Sequence, residues 1–301
     1  LHMPPRHNKH GLEFQKELEK MPAGHNSWFL TAIVLFLTSL SPHSKAEDKA
    51  TGAGGAKKKE ESQLYMVRYI EVEPKNREAF VKAVEEKTKK FDVGENVSQW
   101  WTYRILTGPR TNMFARGFGP TTPSQLDNPK FPVQGLSLDL NDKEALFWKE
   151  NIQPLEKSTG NTELWLAISG LSYTGLPAGT TAKFVRHRKW KMKPGMYQRL
   201  EAHYKDITKA IASQKRPVNW QVSRLEAGGD FMTYAETMAF NNLADVAVIG
   251  DFKNAFTKVN GENSWKKFLK EHNAVMQENA SVETEIWAFQ QNMSSPPLPV
   301  K

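Results

Sequence analysis

Four arginines recur at matched positions in this chain, and a guanidinium is the side chain best built to hold an anion. Arg68 and Arg104 are followed, 120 residues later, by Arg188 and Arg224. Each offers a planar fork of donors that stays charged at any working pH, which suits a carboxylate or phosphate. Trp100, Trp165, Trp220 and Trp287 form a second recurring set. Indole rings fill cores, and they also line apolar clefts while keeping one N–H to satisfy. His203 and His272 stand among apolar residues at helical spacing, where an imidazole is either a hydrogen-bonded core residue or a ligand. Other chemistries lack their residues. The absence of cysteine excludes disulfides, thiolate zinc sites, iron–sulfur clusters and thiol nucleophiles. No Ser-His-acid order, HExxH, calcium loop, nucleophile elbow or dinucleotide glycine fingerprint occurs, so neither a metal site nor a cofactor is expected.

The elements that position these residues follow from periodicity. Tyr65 to Glu73 alternates, with Met66, Arg68, Ile70 and Val72 on one face, and a period of two means a strand. Arg77 to Phe91 puts Phe80, Val84, Thr88 and Phe91 on one stripe of an amphipathic helix. Ser98–Thr107 and Asn112–Phe118 read as a hairpin around Gly108-Pro109-Arg110. Asp142–Ser158 reads as a second helix and Glu163–Ser169 as a fourth strand. The order βαββαβ then repeats in Phe184–Met192, Met196–Gln214, Asn219–Glu226, Phe231–Ala239, Ser264–Gln277 and Val282–Phe289. A shift of 120 residues places Trp100, Arg104 and Gly108 on Trp220, Arg224 and Gly228, and Thr162-Glu-Leu-Trp165 matches Thr284-Glu-Ile-Trp287. The expected fold class is α+β: two tandem ferredoxin-like units, residues 64–169 and 183–290, joined by a connector over 170–182. Packed sheet to sheet, they would make an α+β barrel with a cleft between the halves.

The pattern Arg-x5-Pro before an amphipathic helix (Arg68/Pro74 and Arg188/Pro194), with a Trp-rich second strand and a Glu-hydrophobic-Trp last strand, resembles the dimeric α+β barrel superfamily. Within it the likeness is to NIPSNAP-type and antibiotic-biosynthesis-monooxygenase-like domains, and it covers residues 64 to 290. The resemblance implies a cofactor-free monooxygenase, a haem protein, or a protein without catalysis. Fold analogy alone does not choose among these.

The residues narrow that choice. The four arginines sit on strand faces beside apolar residues, so they must find carboxylates or carbonyls. Glu163 and Glu285, themselves repeat-matched, are the candidates for an Arg–Glu lock that fixes the sheet; the functional reading is an anion-binding arginine facing the cleft. If haem is bound, His203 or His272 would hold the iron, although Ala83 replaces His203 in the first copy. Lys189, Lys191 and Lys193 alternate with other residues on one strand, and Glu71 and Glu73 match two of them, which argues for a solvated face rather than nucleic-acid binding. The leading expectation is a protein that binds a small, partly apolar molecule in the cleft. A cofactor-independent monooxygenase comes next, and a haem protein third.

The chain has 301 residues, 39% hydrophobic and 25% charged, with a net charge of +8 spread along its length, as in soluble globular proteins. Trp28–Leu40 is an apolar run too short to span a bilayer, and Ser44 and Ala46 fit a signal-peptidase site. Residues 1–46 are therefore expected to be an upstream segment and a signal peptide cleaved after Ala46, giving a secreted or periplasmic protein with no stable membrane insertion. Residues 47–63 read as a flexible linker and 291–301 as a disordered tail. Self-association into a homo-oligomer through exposed sheet edges is left open. Gly119–Asn141, with four prolines, is either a lid or a surface insertion.

Overall fold

The structure, a computed structural model, describes residues 63–93, 99–126, 142–246, 252–277 and 282–296. The expectations of a signal peptide and linker, most of the Gly119–Asn141 segment and the last residues of the tail lie outside the described residues. Among the described residues there are eight strands: β1 (Leu64–Val72), β2 (Trp100–Ile105), β3 (Phe114–Thr121), β4 (Glu156–Thr174), β5 (Phe184–Lys191), β6 (Asn219–Ala227), β7 (Thr233–Phe240) and β8 (Glu283–Phe289). The helices are α1 (Arg77–Phe91), α2 (Pro123–Leu126), α3 (Lys143–Phe147), α4 (Tyr197–Ser213), α5 (Phe252–Asn260) and α6 (Ser264–Val275).

The strands close into one antiparallel barrel in the order β1-β3-β2-β8-β5-β7-β6-β4. Within each half the order is fourth, first, third, second. The halves meet edge to edge: β2 pairs with β8 (Tyr103 opposite Phe289, Ile105 opposite Trp287), and β4 pairs with β6 (Trp165 opposite Leu225). The hydrogen-bond ladder thus runs around the molecule as the α+β barrel the sequence predicted, with the halves joined strand to strand at both seams.

Alternation gives each strand one face toward the helices and one toward the barrel axis. On the outer face, Phe80 and Val84 of α1 pack on Ile70, Val72 and Phe114. Leu200, Tyr204, Ile207 and Ile211 of α4 cover Trp190, Trp220, Val222 and Tyr234. Phe80 and Val84 keep no exposed surface, and each such burial stabilises by roughly 1.5–3 kcal/mol. A buried polar cluster fastens α1 further: Asp92 at its end accepts from Lys87 at 2.6 Å and from Arg116 of β3 at 3.0 Å, and Glu144 of α3 pairs with the same lysine.

Several boundaries differ from the sequence-based expectation. The helix expected over Asp142–Ser158 stops at Phe147 and passes through a wide turn, Trp148–Ile152, and a 3-10 turn, Gln153–Leu155. Pro154 lacks the amide that a continuing helix needs, and its ring blocks the preceding turn. β4 therefore starts at Glu156 and runs for 19 residues, which shortens the connector at its start. Helix α5 was not anticipated. The tail expected from Gln291 is packed at least to Ser295: Met293 is buried, and Ser294 Oγ and Ser295 Oγ accept from the amides of Thr102 and Trp100.

Gly108 and Gly228 follow the second strand of each half, with φ of +94° and +88°. A Cβ on Gly108 would press on Thr284 and Glu285, and one on Gly228 would press on Thr162 and Glu163. Each turn therefore lies against the last strand of the other half, and only glycine allows both the conformation and the approach.

Candidate functional site

The inner face of the barrel carries Val67, Tyr69, Ile105, Trp165, Val185, Leu225, Ala235 and Trp287 as one buried cluster. Part of this interior is a cavity of about 390 Å³, bordered by Val67, Trp165, Val185, Ala235 and Trp287 on its apolar side. That size falls within the roughly 300–1,000 Å³ usual for small-molecule sites. Its polar lining includes Gln99, Asn219, Gln221, Ser223, Thr237 and His187. Among the described residues bordering it, none is Asp, Glu, Lys or Arg.

Charge is instead gathered beside the cavity as a network around two carboxylates. Glu163 Oε2 accepts from the Tyr69 hydroxyl at 2.9 Å and from the Trp165 indole N–H at 3.1 Å, while Lys189 Nζ lies 3.1 Å from Oε1. Glu285 accepts from Arg110 Nε and Nη2, both at 2.8 Å, and from the Trp287 indole at 2.8 Å. The Arg110 guanidinium also lies 3.5 Å from the centre of the Tyr69 ring. The repeated Glu-x-Trp sequence is thus one device used twice, a carboxylate that anchors its own indole while a cation anchors the carboxylate. Burial first, and Glu163 second, hold the Tyr69 hydroxyl well above its ordinary pKa, so it stays a donor.

His187 stands between this network and the cavity. Its ring centre is 4.6 Å from that of Trp287 and 5.8 Å from that of Trp165. Nδ1 is 3.4 Å from Thr237 Oγ1, and Nε2 has no hydrogen-bond partner among the described residues. Burial, and then the positive charges of Arg110 and Lys189, push its pKa well below the ordinary histidine value. The ring is therefore a neutral imidazole at neutral pH, and its Nε2 is an unsatisfied buried atom of a residue that borders the cavity. A buried polar atom without a partner costs about 1–3 kcal/mol, which a suitable ligand would recover.

The sequence-predicted residues divide sharply. Trp100, Trp165 and Trp287 border the cavity; Trp220 faces outward against α4. Arg68, Arg104, Arg188 and Arg224 are all on the outer face and none borders the cavity. Arg68 pairs with Glu156 at 2.9 Å, Arg104 donates to Asn112 at 3.1 Å, Arg188 lies 3.6 Å from Glu236 and Arg224 pairs with Glu226 at 2.7 Å. The expected lock onto Glu163 and Glu285 is therefore corrected. Val67 is opposite Glu163 and Arg68 is opposite Thr162, so parity sends the carboxylate inward and the arginine outward. Arg110, taken in the sequence only as part of a turn, supplies the bidentate partner instead.

His203 on α4 and His272 on α6 face each other, with Nε2 and Nδ1 3.3 Å apart, and Phe268 stacks 4.7 Å from His203. His272 borders a space of about 90 Å³, and His203 borders a separate one of about 700 Å³. The pair joins α4 to α6 as a clasp.

No protein-family model matches the chain, and no curated protein sequence matches it. Solved structures do resemble it. A candidate monooxygenase from Fusobacterium nucleatum subsp. nucleatum superposes with a TM-score of 0.50 at 10% identity, covering 80% of this chain and 98% of that one. A candidate monooxygenase from Lactobacillus acidophilus NCFM gives 0.48 at 9%, covering 80% and 100%. A mutant chlorite dismutase from Candidatus Nitrospira defluvii gives 0.43 at 10%, covering 75% and 92%. The chain is a ferredoxin-like α+β barrel. At such low identity the likeness concerns the fold, and the use of this barrel must be argued from its interior.

Proposed function

We propose that this barrel binds a small, uncharged, partly apolar molecule in its interior, seated against Trp165 and Trp287 and hydrogen-bonded to His187. The observation that carries this reading is the buried Nε2 of His187, without a partner among the described residues, on a residue bordering a cavity of about 390 Å³ with no Asp, Glu, Lys or Arg among its described lining. An ionised ligand would lose its hydration there without gaining a counter-charge, so a neutral one is preferred. The test is a titration with the neutral fluorophore N-phenyl-1-naphthylamine and a thermal-shift screen of uncharged aromatics. Binding by the parent chain that falls roughly tenfold in His187→Leu, the loss of one buried hydrogen bond, supports the site. A parent chain that neither binds the probe nor shifts with any compound in the screen sinks it.

A second reading, cofactor-independent oxygenation, is favoured by the same apolar surroundings, which would strip water from an aromatic substrate. Oxygen consumption on adding dihydroxy-aromatics, lost in His187→Leu, would promote it. We also read the two halves as tandem copies, on the strength of the 120-residue shift and the shared strand order. Export with cleavage after Ala46 is a further part of the proposal; N-terminal sequencing of the mature protein tests it.

A further inference from the structure

β4 is interrupted where it meets β6. Ala167 is opposite Ser223 and Ser172 is opposite Gln221, so five steps along β4 face two along β6. Three residues are surplus, and a ladder with surplus residues on one strand bows away from its partner. A second cavity of about 370 Å³ lies at this place, bordered by Ala167, Ile168, Ser172 and Tyr173 of β4 and by Trp220 and Gln221 of β6. Trp220 belongs to the outer face of the barrel and Gln221 to the inner one, so the cavity is bordered by residues of both faces, at the end of the barrel where β4 runs on past Leu64 of β1. It also shares Tyr65, Asn219, Gln221, Thr237 and Ala239 with the interior cavity.

We infer that the bowed segment of β4 is a lateral port into the barrel, and that Tyr65 is the residue that gates it. This rests on the reading of the interior as a binding site. Tyr65 borders both spaces, is half-buried, and its hydroxyl interacts with the side chains of Gln63 and Gln221. Rotation of one phenol ring, held by weak surface contacts, joins the two cavities. The port is bordered by Gln63, Ser169, Ser172, Thr174 and Asn219, with no Asp, Glu, Lys or Arg among its described lining. It therefore passes uncharged molecules able to exchange hydrogen bonds along the way. An oligomer that covered the bowed segment would close the site.

The chain has no cysteine, so Ala235→Cys places a sole thiol on the inner wall, and its reaction rate with neutral methyl methanethiosulfonate reports passage whether or not any ligand binds. Ala167 borders the port alone, and Thr181 borders the interior cavity alone. Adding Ala167→Trp is expected to slow labelling roughly tenfold, Thr181→Trp to slow it less than about twofold, and Tyr65→Ala to accelerate it, as for a gated passage. Ser172→Trp serves as a second port-filling variant should Ala167→Trp misfold. Labelling within about twofold of the parent in every folded port-filling variant, or a parent thiol that reacts only as fast as the whole protein unfolds, overturns the port. A failed ligand screen would leave these rates unchanged, and so would count against the binding reading alone.

Discussion

Arg110 reaches from the β2–β3 turn to Glu285 on β8, laying Nε and Nη2 2.8 Å from its carboxylate oxygens. Glu285 is 1% exposed, so removing its partner strands a buried charge. Arg110→Ala is expected to cost about 3–5 kcal/mol in denaturant unfolding, the range for a broken buried pair. Arg110→Lys should recover only part, because an ammonium cannot make the two parallel bonds. A loss under about 1 kcal/mol in Arg110→Ala would show that Glu285 is satisfied without it.

His187 should remain neutral through the physiological range, since its pKa lies well below the ordinary value. Probe affinity is therefore expected to be flat between about pH 6 and 8. A step in affinity in that window that vanishes in His187→Leu would mean that the ring titrates there, and would place a counter-charge near it.

The His203–His272 clasp should make the protein acid-sensitive. Burial first and His272 second push the His203 pKa down to about 4, and burial lowers that of His272 as well. Glu271 and Asp206 oppose the shift at His203; Glu236 opposes it and Arg188 adds to it at His272. The unfolded chain takes up protons first, so this contribution is fully present above about pH 6.5 and is lost as the pH falls toward about 4. The melting temperature of the parent should drop across that window, and the drop should shrink in His203→Gln. An unchanged slope in the variant would assign the acid sensitivity to other groups.

Gly108→Ala and Gly228→Ala should destabilise by similar amounts, about 1–3 kcal/mol each, because both hold a positive φ and both press on the other half. Chemical denaturation of the two variants measures this directly. A cost confined to one of them would mean that the two turns are not structural counterparts.

The scaffold was largely legible because period-two alternation and a 120-residue repeat are strong signals: α1 runs over Arg77–Phe91, the span the stripe of Phe80 and Val84 predicts. The site was less so. On β1 the arginine face is opposite the Val67–Tyr69–Glu71 face, yet nothing in periodicity says which face meets helices and which meets the axis. The face rich in Ile and Val was the better match to an amphipathic helix, and that clue would have turned Tyr69 and Glu163 inward. His187 stands among cations on a strand, Arg186 to Lys189, and nothing in that spacing marks it out. Its importance comes from Trp165 and Trp287, which lie on strands from the two halves. β4 ran past its expected end because Ser169 and Gly170 look like a turn, whereas the ladder absorbs them in its bow.

A sheet that returns to its first strand presents no row of unpaired amides to its surroundings. Among the described strands, both seams are already occupied by the chain itself. Strand-to-strand recruitment of a second molecule, the usual hazard of an open sheet, is closed off while the barrel is intact. Either half expressed by itself would bare two such rows at once. The isolated halves are thus expected to pair or precipitate.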